Sequence, residues 1–229
     1  MTQAQTKSKN IARGSATRTA NMLKRRDHIL ECASNIIAKR GFEAFTLSEL
    51  AAEAQVTVPT IHNLLGKKSQ IVERLVEETV TRTQAVLSEP TSTDPTLAIE
   101  GFIDKLMELF SSNEDLYKAA FVAGEREKLF EHKMAEGIFH RSLELAKKVC
   151  RDAKENRYLR GEIDTDKLAH QLFGCQRLAR QDWMQGYIDL DTYRTQVLIG
   201  MFITLAADAK PSFKKQLLDK IANLQAIGG

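Results

Sequence analysis

The fold of this chain is decided by residues 46–68, which read TLSELAAEAQVTVPTIHNLLGKK. Two short stretches with helical apolar spacing lie on either side of a three-residue turn, Ala-Gln-Val. Thr46 can cap the first helix, and Glu49 three residues later completes a capping box. Thr57 can cap the second helix, and Pro59 falls in its first turn, where a missing N–H costs little. Two short helices joined by such a turn predict a helix-turn-helix.

The flanking sequence supplies supporting helices. Apolar residues recur every three or four positions over about 20–40, and Gly41 is a suitable C-cap. Another helix begins near residue 69 and runs toward residue 87. Residues 88–95 hold two prolines among Ser, Thr and acidic residues, which predicts a break.

The remaining sequence also reads as helical. The whole chain has only 12 glycines and 4 prolines in 229 residues, and few runs in which β-branched residues alternate with polar ones. This composition favours an all-α fold over a sheet. The predicted helices span about 96–110, 113–123, 126–153, 166–186, 191–209 and 212–226. The fourth and fifth of these form a hairpin of two helices.

Charge is distributed unevenly along the chain. Residues 1–26 hold seven basic residues and no acidic one, whereas the remaining sequence holds 26 basic and 30 acidic residues. A basic end on a mildly acidic body indicates a polyanionic partner, with a solubilising tail as the alternative. Beside a helix-turn-helix, we expect Lys24, Arg25 or Arg26 to contact DNA.

Cysteine usage and hydropathy indicate the compartment. Cys32, Cys150 and Cys175 are odd in number and match no metal motif, which is typical of a reducing environment. Cys150 and Cys175 can be read as a redox pair, although buried structural thiols are more common. The start lacks an apolar signal segment, and the longest apolar run, 197–207, is too short to span a bilayer. We expect a cytoplasmic protein that does not associate with a membrane.

Several stretches of the first third match one known family. Residues 29–33 read ILECA, 40–42 RGF, 46–54 TLSELAAEA and 56–61 VTVPTI, and Leu65 and Lys68 follow. These residues, within 26–71, resemble the DNA-binding domain of the TetR family of transcriptional repressors.

The chain departs from the family pattern at three positions. Gln55 stands where the turn usually has glycine, so it must accept a positive φ or bend the turn differently. His62 replaces the usual tyrosine, and Leu65 replaces a common aromatic residue.

The resemblance implies DNA-binding roles at the matching positions. Phosphate contacts are implied for Thr46, Thr60, Asn63 and Lys68, and proximity to the bases for Leu47, Val58, Pro59 and His62. The start of the recognition helix and of the next helix add Thr57 and Lys67. The predicted DNA-contact residues are therefore Lys24, Arg25, Arg26, Thr46, Leu47, Thr57, Val58, Pro59, Thr60, His62, Asn63, Lys67 and Lys68.

The resemblance also implies that the C-terminal half binds a small molecule and dimerises. The ligand candidates are Phe102, Leu106, Phe110, Phe121, Met134, Phe139, Phe173, Gln176 and Arg177, although residues of these types, taken singly, are more often ordinary core residues. The candidate dimer interface is a pair of helical stripes, Leu168, Leu172, Cys175, Leu178, Ala179, Asp182, Leu198, Phe202 and Leu205. The alternative is that these stripes pack within one chain.

The predicted organisation has four parts. Residues 1–18 are a flexible basic arm, 19–68 the helix-turn-helix domain, 69–87 a connecting helix, and 88–229 the helical ligand-binding and dimerisation domain. We expect a homodimeric regulator of a palindromic operator in double-stranded DNA, released by a largely apolar effector. A helix-turn-helix nucleoid or adaptor protein without a ligand is the alternative. No nucleophile elbow, HExxH or phosphate loop occurs, so we expect no enzyme activity, cofactor or metal.

Overall fold

The computed structural model describes residues 3–86, 92–126 and 138–227. Across these ranges it contains ten helices and no β-strand beyond one isolated bridge between Leu159 and Ala209. The predicted all-α class is confirmed. No helix within these ranges is long and apolar enough to cross a membrane.

The chain divides into two compact units, residues 1–77 and 78–229. The first unit holds α1 (Gln3–Ala44), α2 (Leu47–Glu53), α3 (Val58–Leu64) and the larger part of α4 (Lys68–Val86). The second holds the end of α4, then α5 (Pro95–Ser111), α6 (Glu114–Arg126), α7 (Ile138–Glu155), α8 (Thr165–Met184), α9 (Leu190–Ala206) and α10 (Pro211–Ile227).

The first unit forms because α1, α2 and α3 each bury one apolar side. Ile29 and Ile37 of α1, Leu50 of α2 and Ile61 of α3 are almost completely buried, as the three-to-four spacing predicts. Gly41 breaks α1 with φ 74° and ψ 170°, a conformation that favours glycine.

The beginning of α1 differs from the prediction. The sequence predicted a flexible arm over residues 1–18 and a helix from about residue 20, whereas α1 begins at Gln3. Ala, Gln, Lys and Arg are frequent in this stretch and have good intrinsic helix propensity. The backbone can therefore be helical without the apolar periodicity that we required.

The second unit packs α8 between α7 and α9, while α10 packs on α9. An aromatic cluster lies at its centre, where the Phe110 ring stacks on Trp183 with centroids 5.0 Å apart and meets Phe121 edge-on at 5.6 Å. Tyr117 and Tyr193 complete this cluster, and all five side chains are buried. Such packing contributes more than area burial alone because the ring pairs are offset or edge-to-face.

Two carboxylates, the buried Asp208 and the half-buried Asp94, connect loops and helix ends within this unit. Asp208 is fully buried and accepts hydrogen bonds from the backbone N–H groups of Gly161 and Glu162, at 2.9 and 3.0 Å. Asp94 caps α5 by accepting from the N–H of Thr96 at 2.8 Å, and its other oxygen accepts from Gln216 of α10 at 3.2 Å. Burial alone would raise the pKa of Asp94, but these hydrogen bonds outweigh it and hold the pKa below its usual value.

Candidate nucleic-acid interface and ligand cavity

The two short helices are capped as the sequence predicts. The Thr46 hydroxyl accepts from the N–H of Glu49 at 3.2 Å, and the Thr57 hydroxyl accepts from the N–H of Thr60 at 3.3 Å. The Glu49 carboxylate, which the capping box would return to Thr46, instead pairs with the guanidinium of Arg40. Because both N-termini are fixed by side chains, α3 begins at a defined residue and presents its first turn outward.

The turn between these helices is a Schellman motif. The N–H of Val56 donates to the carbonyl of Ala51 at 2.9 Å, and the N–H of Gln55 donates to that of Ala52 at 3.3 Å. Gln55 has φ 53°, so it accepts the left-handed conformation that glycine usually takes there. The second alternative, a differently bent turn, is excluded.

The DNA candidates all reach the surface of the first unit. Those fully exposed are Lys24, Arg25, Thr46, Thr57, Pro59, His62, Asn63 and Lys67, and those half-buried are Arg26, Leu47, Val58, Thr60 and Lys68. Ile61 of the same helix α3 is buried. One side of α3 thus anchors it, and the other offers short polar or apolar groups.

Three candidates, Thr57, Thr60 and Lys68, also have structural roles. The Thr60 hydroxyl lies 2.9 Å from that of Thr57, so both threonines take part in the cap. The ammonium group of Lys68 lies over the Phe45 ring, 5.7 Å from its centroid, which fixes the start of α4. The Lys67 N–H donates to the Gln70 side chain at 2.8 Å, leaving the Lys67 side chain exposed.

A cavity of about 50 Å³ lies between α5, α7, α8 and α9 of the second unit, several times the space that one water needs. Its wall is mostly apolar, with Ser142 and Gln176 among the polar side chains. The lining residues are Val86, Ala98, Ile99, Gly101, Phe102, Lys105, Ser142, Leu145, Ala146, Val149, Leu172, Phe173, Gln176 and Met201.

The structure brings together only part of the predicted ligand set. Phe102, Phe173 and Gln176 line the cavity, whereas Leu106, Phe110 and Phe121 are buried in the core outside it. Phe139 packs edge-on against Phe173, with centroids 5.9 Å apart, and the exposed Arg177 lies over the Phe139 ring. Met134 lies outside the described residues. Sequence reasoning missed the α7 wall because its small and aliphatic residues carry no distinctive signal.

Arg180 on α8 lies in an unusual environment for a helical arginine. Isolated arginines on helices are usually exposed. Arg180 is only 3% exposed and lies over the Phe139 ring at 4.6 Å and the Phe121 ring at 5.3 Å. Burial lowers its pKa because the charged form loses solvation.

The predicted dimer stripes lie mostly inside the protomer. Leu168, Leu172, Ala179, Leu198, Phe202 and Leu205 are all buried within the single chain, which favours the alternative that these stripes pack within one chain. Cys175 and Asp182 are half-buried, and Leu178 is 63% exposed. The dimer interface stays a prediction.

The cysteines and histidines form no reactive site in the described residues. Cys32, Cys150 and Cys175 are free thiols. Burial raises the pKa of Cys150 to about 12, which keeps it protonated and unreactive. Within the same ranges, no group of three His, Cys, Asp or Glu side chains could hold a metal ion.

The fold and surface therefore define a helical protein with a helix-turn-helix domain. Residues 29–75 match the family model described as "Bacterial regulatory proteins, tetR family". Residues 29–75 therefore resemble the DNA-binding domain of that family, and the C-terminal half is similar in fold to the solved structures below. No curated protein matches the sequence.

Solved structures similar to this chain support the fold over most of its length. A gamma-butyrolactone receptor, an ArpA-like protein, has a TM-score of 0.61 at 18% identity and covers 90% of this chain and 98% of its own. CprB from Streptomyces coelicolor, in complex with its biological operator, has a TM-score of 0.59 at 19% identity and covers 89% and 97%. SmeT, the repressor of the Stenotrophomonas maltophilia multidrug efflux pump SmeDEF, in complex with triclosan has a TM-score of 0.55 at 18% identity and covers 83% and 94%.

Proposed function

We propose that this DNA-binding regulator is a sequence-specific, homodimeric repressor that a small, largely apolar ligand releases from its operator. The observation that carries the proposal is the capped helix α3, on which Thr57, Pro59, His62 and Asn63 are exposed while Ile61 is buried. A helix presented in this way fits a major groove about 12 Å wide. A two-fold pair of such helices would read half-sites about 34 Å apart.

The contacts of α3 suggest how affinity and sequence readout are divided. Val58 and Pro59 offer van der Waals contact, whereas His62 and Asn63 offer hydrogen-bonding groups. Phosphate contacts by Lys67 and the threonines position α3 on the DNA. The four side chains named above then add a modest direct readout of the bases. The half-site spacing then supplies much of the specificity.

Operator binding is tested with duplexes from the DNA that flanks the protein's own gene, by fluorescence anisotropy at several salt concentrations. We expect a steep salt dependence and a preference of roughly 1,000-fold or more over random duplex. Affinity that is equal for random DNA would contradict a sequence-specific repressor and indicate a nucleoid-type protein instead. Absence of salt-dependent binding to any such duplex would contradict DNA binding itself.

Lys67→Ala and Lys214→Ala form a matched pair for this assay. Both lysines are exposed, but Lys67 follows α3, whereas Lys214 lies on α10 in the second unit. Lys67→Ala should weaken binding to all duplexes and reduce the salt slope by about 1. Lys214→Ala should leave the slope unchanged. Equal effects of the two variants would mean that net charge alone drives binding.

Exposed apolar residues support dimerisation through α8 and α9. Leu178 is 63% exposed and Ile203 is 57% exposed. The two helices approach closely at Gly200, where an added Cβ would lie 3.0 Å from the Cys175 sulfur. Two helices with outward apolar side chains from each protomer would form a four-helix interface about a two-fold axis.

The oligomeric state is tested by sedimentation velocity on Leu178→Asp, with Leu218→Asp as the control. Leu218 is a comparably exposed leucine, 51% accessible, on α10. Leu178→Asp should produce monomers and weaken operator binding, whereas Leu218→Asp should remain dimeric. Dimers of unchanged stability in Leu178→Asp would exclude this face.

The ligand part of the proposal rests on the cavity in the second unit. Its wall is mainly apolar with a few polar groups, as small-molecule sites usually are. Of the proteins with a similar fold, SmeT forms a complex with triclosan and another is a gamma-butyrolactone receptor. Helix α4 begins at Lys68, a DNA candidate, and ends at Val86 in the cavity wall. A ligand that binds better to one arrangement of α4 would shift DNA affinity accordingly.

A further inference from the structure

Arg180 presents buried nitrogens that have no hydrogen-bond partner among the described residues, and the buried Tyr193 hydroxyl has no partner at hydrogen-bond geometry although the Gln176 side chain acts on it. The unpaired nitrogens are Nε and Nη2 of Arg180. The Arg180 and Tyr193 side chains are nearly inaccessible, at 3% and 0% exposure. Buried polar groups are almost always paired in folded proteins, and an unpaired buried guanidinium is especially unfavourable. Such a group requires a functional explanation.

The neighbouring protein groups compensate the Arg180 charge only in part. The Glu125 carboxylate lies 4.0 Å from Nη2, which is too far for a hydrogen bond. The guanidinium carbon of Arg180 lies over the Phe139 and Phe121 rings, whose π faces stabilise the cation. This contact satisfies no N–H donor, so Nε and Nη2 remain without a hydrogen-bond partner.

The two unpaired nitrogens lie on the same edge of the guanidinium. The N–H of Nε and one N–H of Nη2 run parallel along that edge, and this geometry matches the two oxygens of a carboxylate. The Tyr193 hydroxyl adds a third donor nearby. Burial raises the pKa of Tyr193 to about 12, partly offset by the Arg180 charge and the Gln176 amide, so the phenol keeps its proton.

Arg180 and Tyr193 lie next to residues that line the cavity. Gln176, one helical turn before Arg180 on α8, lines the cavity and acts on Tyr193. Phe173 of the cavity wall packs against Phe139, whose ring also contacts Arg180. Arg180 and Tyr193 do not line the cavity themselves, so a ligand with its apolar body in the cavity would reach these donors past Gln176 and Phe173.

We propose that the cavity binds an amphipathic carboxylate, such as an acyl or aryl acid, whose head group pairs side-on with Arg180 and accepts from Tyr193. The inference rests on the proposed ligand response and specifies its chemistry. The apolar body enters between Phe102, Phe173 and Met201, and these side chains must move to admit it, because about 50 Å³ is less than the ~150 Å³ of a cavity that holds benzene. The carboxylate replaces the distant Glu125 as the partner of Arg180.

Binding is measured with octanoate and with 1-octanol, which share a chain length and differ in the head group. Trp183, the only tryptophan of the chain, stacks in the aromatic cluster with Tyr193 6.0 Å away, so its fluorescence reports on the site. We expect octanoate to bind the full-length protein at least about tenfold more tightly than 1-octanol. We also expect Glu125→Gln to increase octanoate affinity by removing the competing carboxylate.

Arg180→Met tests the residue itself, and Arg151→Met on α7 is the matched control because Arg151 is exposed. Arg180→Met should abolish the preference for octanoate while still binding 1-octanol, and it should raise Tm without ligand because an incompletely paired buried charge is removed. Arg151→Met should retain the preference. A lower Tm with an unchanged preference would make Arg180 a structural residue and overturn the assignment.

The outcomes separate this inference from the proposed function. Equal binding of octanoate and 1-octanol by the unmodified protein would refute the carboxylate site but leave an apolar ligand cavity intact. Binding of neither probe would also refute it, whereas operator binding is measured independently of both. Loss of operator binding with retained octanoate preference would overturn the regulator function alone.

Discussion

Gln55→Gly should stabilise the first unit, because Gln55 ends α2 with φ 53°. A residue with a Cβ loses about 1–2 kcal/mol in the left-handed region, whereas the greater freedom of an unfolded glycine costs about 0.5–1 kcal/mol. Gln55 is exposed, so little packing is lost. The difference favours the variant by about 0.5–1 kcal/mol.

The assay is hydrogen exchange followed by mass spectrometry, read on peptides that cover α1 to α3. Local opening free energies are preferable to a single midpoint because a chain of two units need not unfold in one transition. Gln55→Gly should slow exchange about two- to fivefold, as expected from its added stability. The amides of α8 and α9 should be unaffected.

Two variants control for the change of residue type. Gln55→Ala keeps the left-handed strain and should change exchange little. Ala52→Gly, at an exposed position inside α2, should destabilise the same peptides by about 1 kcal/mol. Faster exchange in Gln55→Gly would refute the reasoning, since it would mean that this turn is not held in the left-handed conformation.

Three further outcomes are expected. Phe110→Ala should lower the free energy of unfolding of the second unit by about 3–5 kcal/mol in urea titration, because it empties the aromatic cluster; a loss below 1 kcal/mol would contradict the packing. Because the pKa of folded Asp94 lies below its unfolded value, its contribution is present above about pH 4 and disappears as the pH falls through the folded pKa. Asp94→Asn should therefore flatten the acid limb of stability, and an unchanged limb would contradict this. Thr57→Ala should cost about 1 kcal/mol in α3 by hydrogen exchange and weaken DNA binding, whereas Thr57→Ser should restore the cap; equal behaviour of both variants would exclude the capping role.

Local chemistry explains why the first unit could be predicted so closely. The caps at Thr46 and Thr57 and the break at Gly41 depend on residues only a few positions apart. The same holds for the turn. The sequence allowed either a positive φ at Gln55 or a differently bent turn, and the Schellman hydrogen bonds correspond to the positive φ. Such features are determined within one or two helical turns, so the sequence carries them directly.

The second unit shows where local patterns fail. The stripes that contain Leu168 and Leu172 on α8 and Leu198 on α9 have helical spacing. This spacing is the same whether a stripe faces its own core or a partner chain, so periodicity cannot distinguish the two arrangements. Exposure of Leu178 and Ile203, in contrast, depends on how α8 and α9 pack against each other. Periodicity also could not predict which aromatic residues of the ligand set line the cavity and which are buried in the core.

The sequence by itself determined the all-α class, the helix-turn-helix with its capped helices, and the residues that α3 exposes. Only the tertiary structure decided that Arg180 is buried against the rings of Phe121 and Phe139, residues that lie 59 and 41 positions earlier on other helices. The physical reason is that caps and amphipathic faces arise from neighbours in sequence, whereas a cavity and its buried charge arise from helices distant in sequence that pack together.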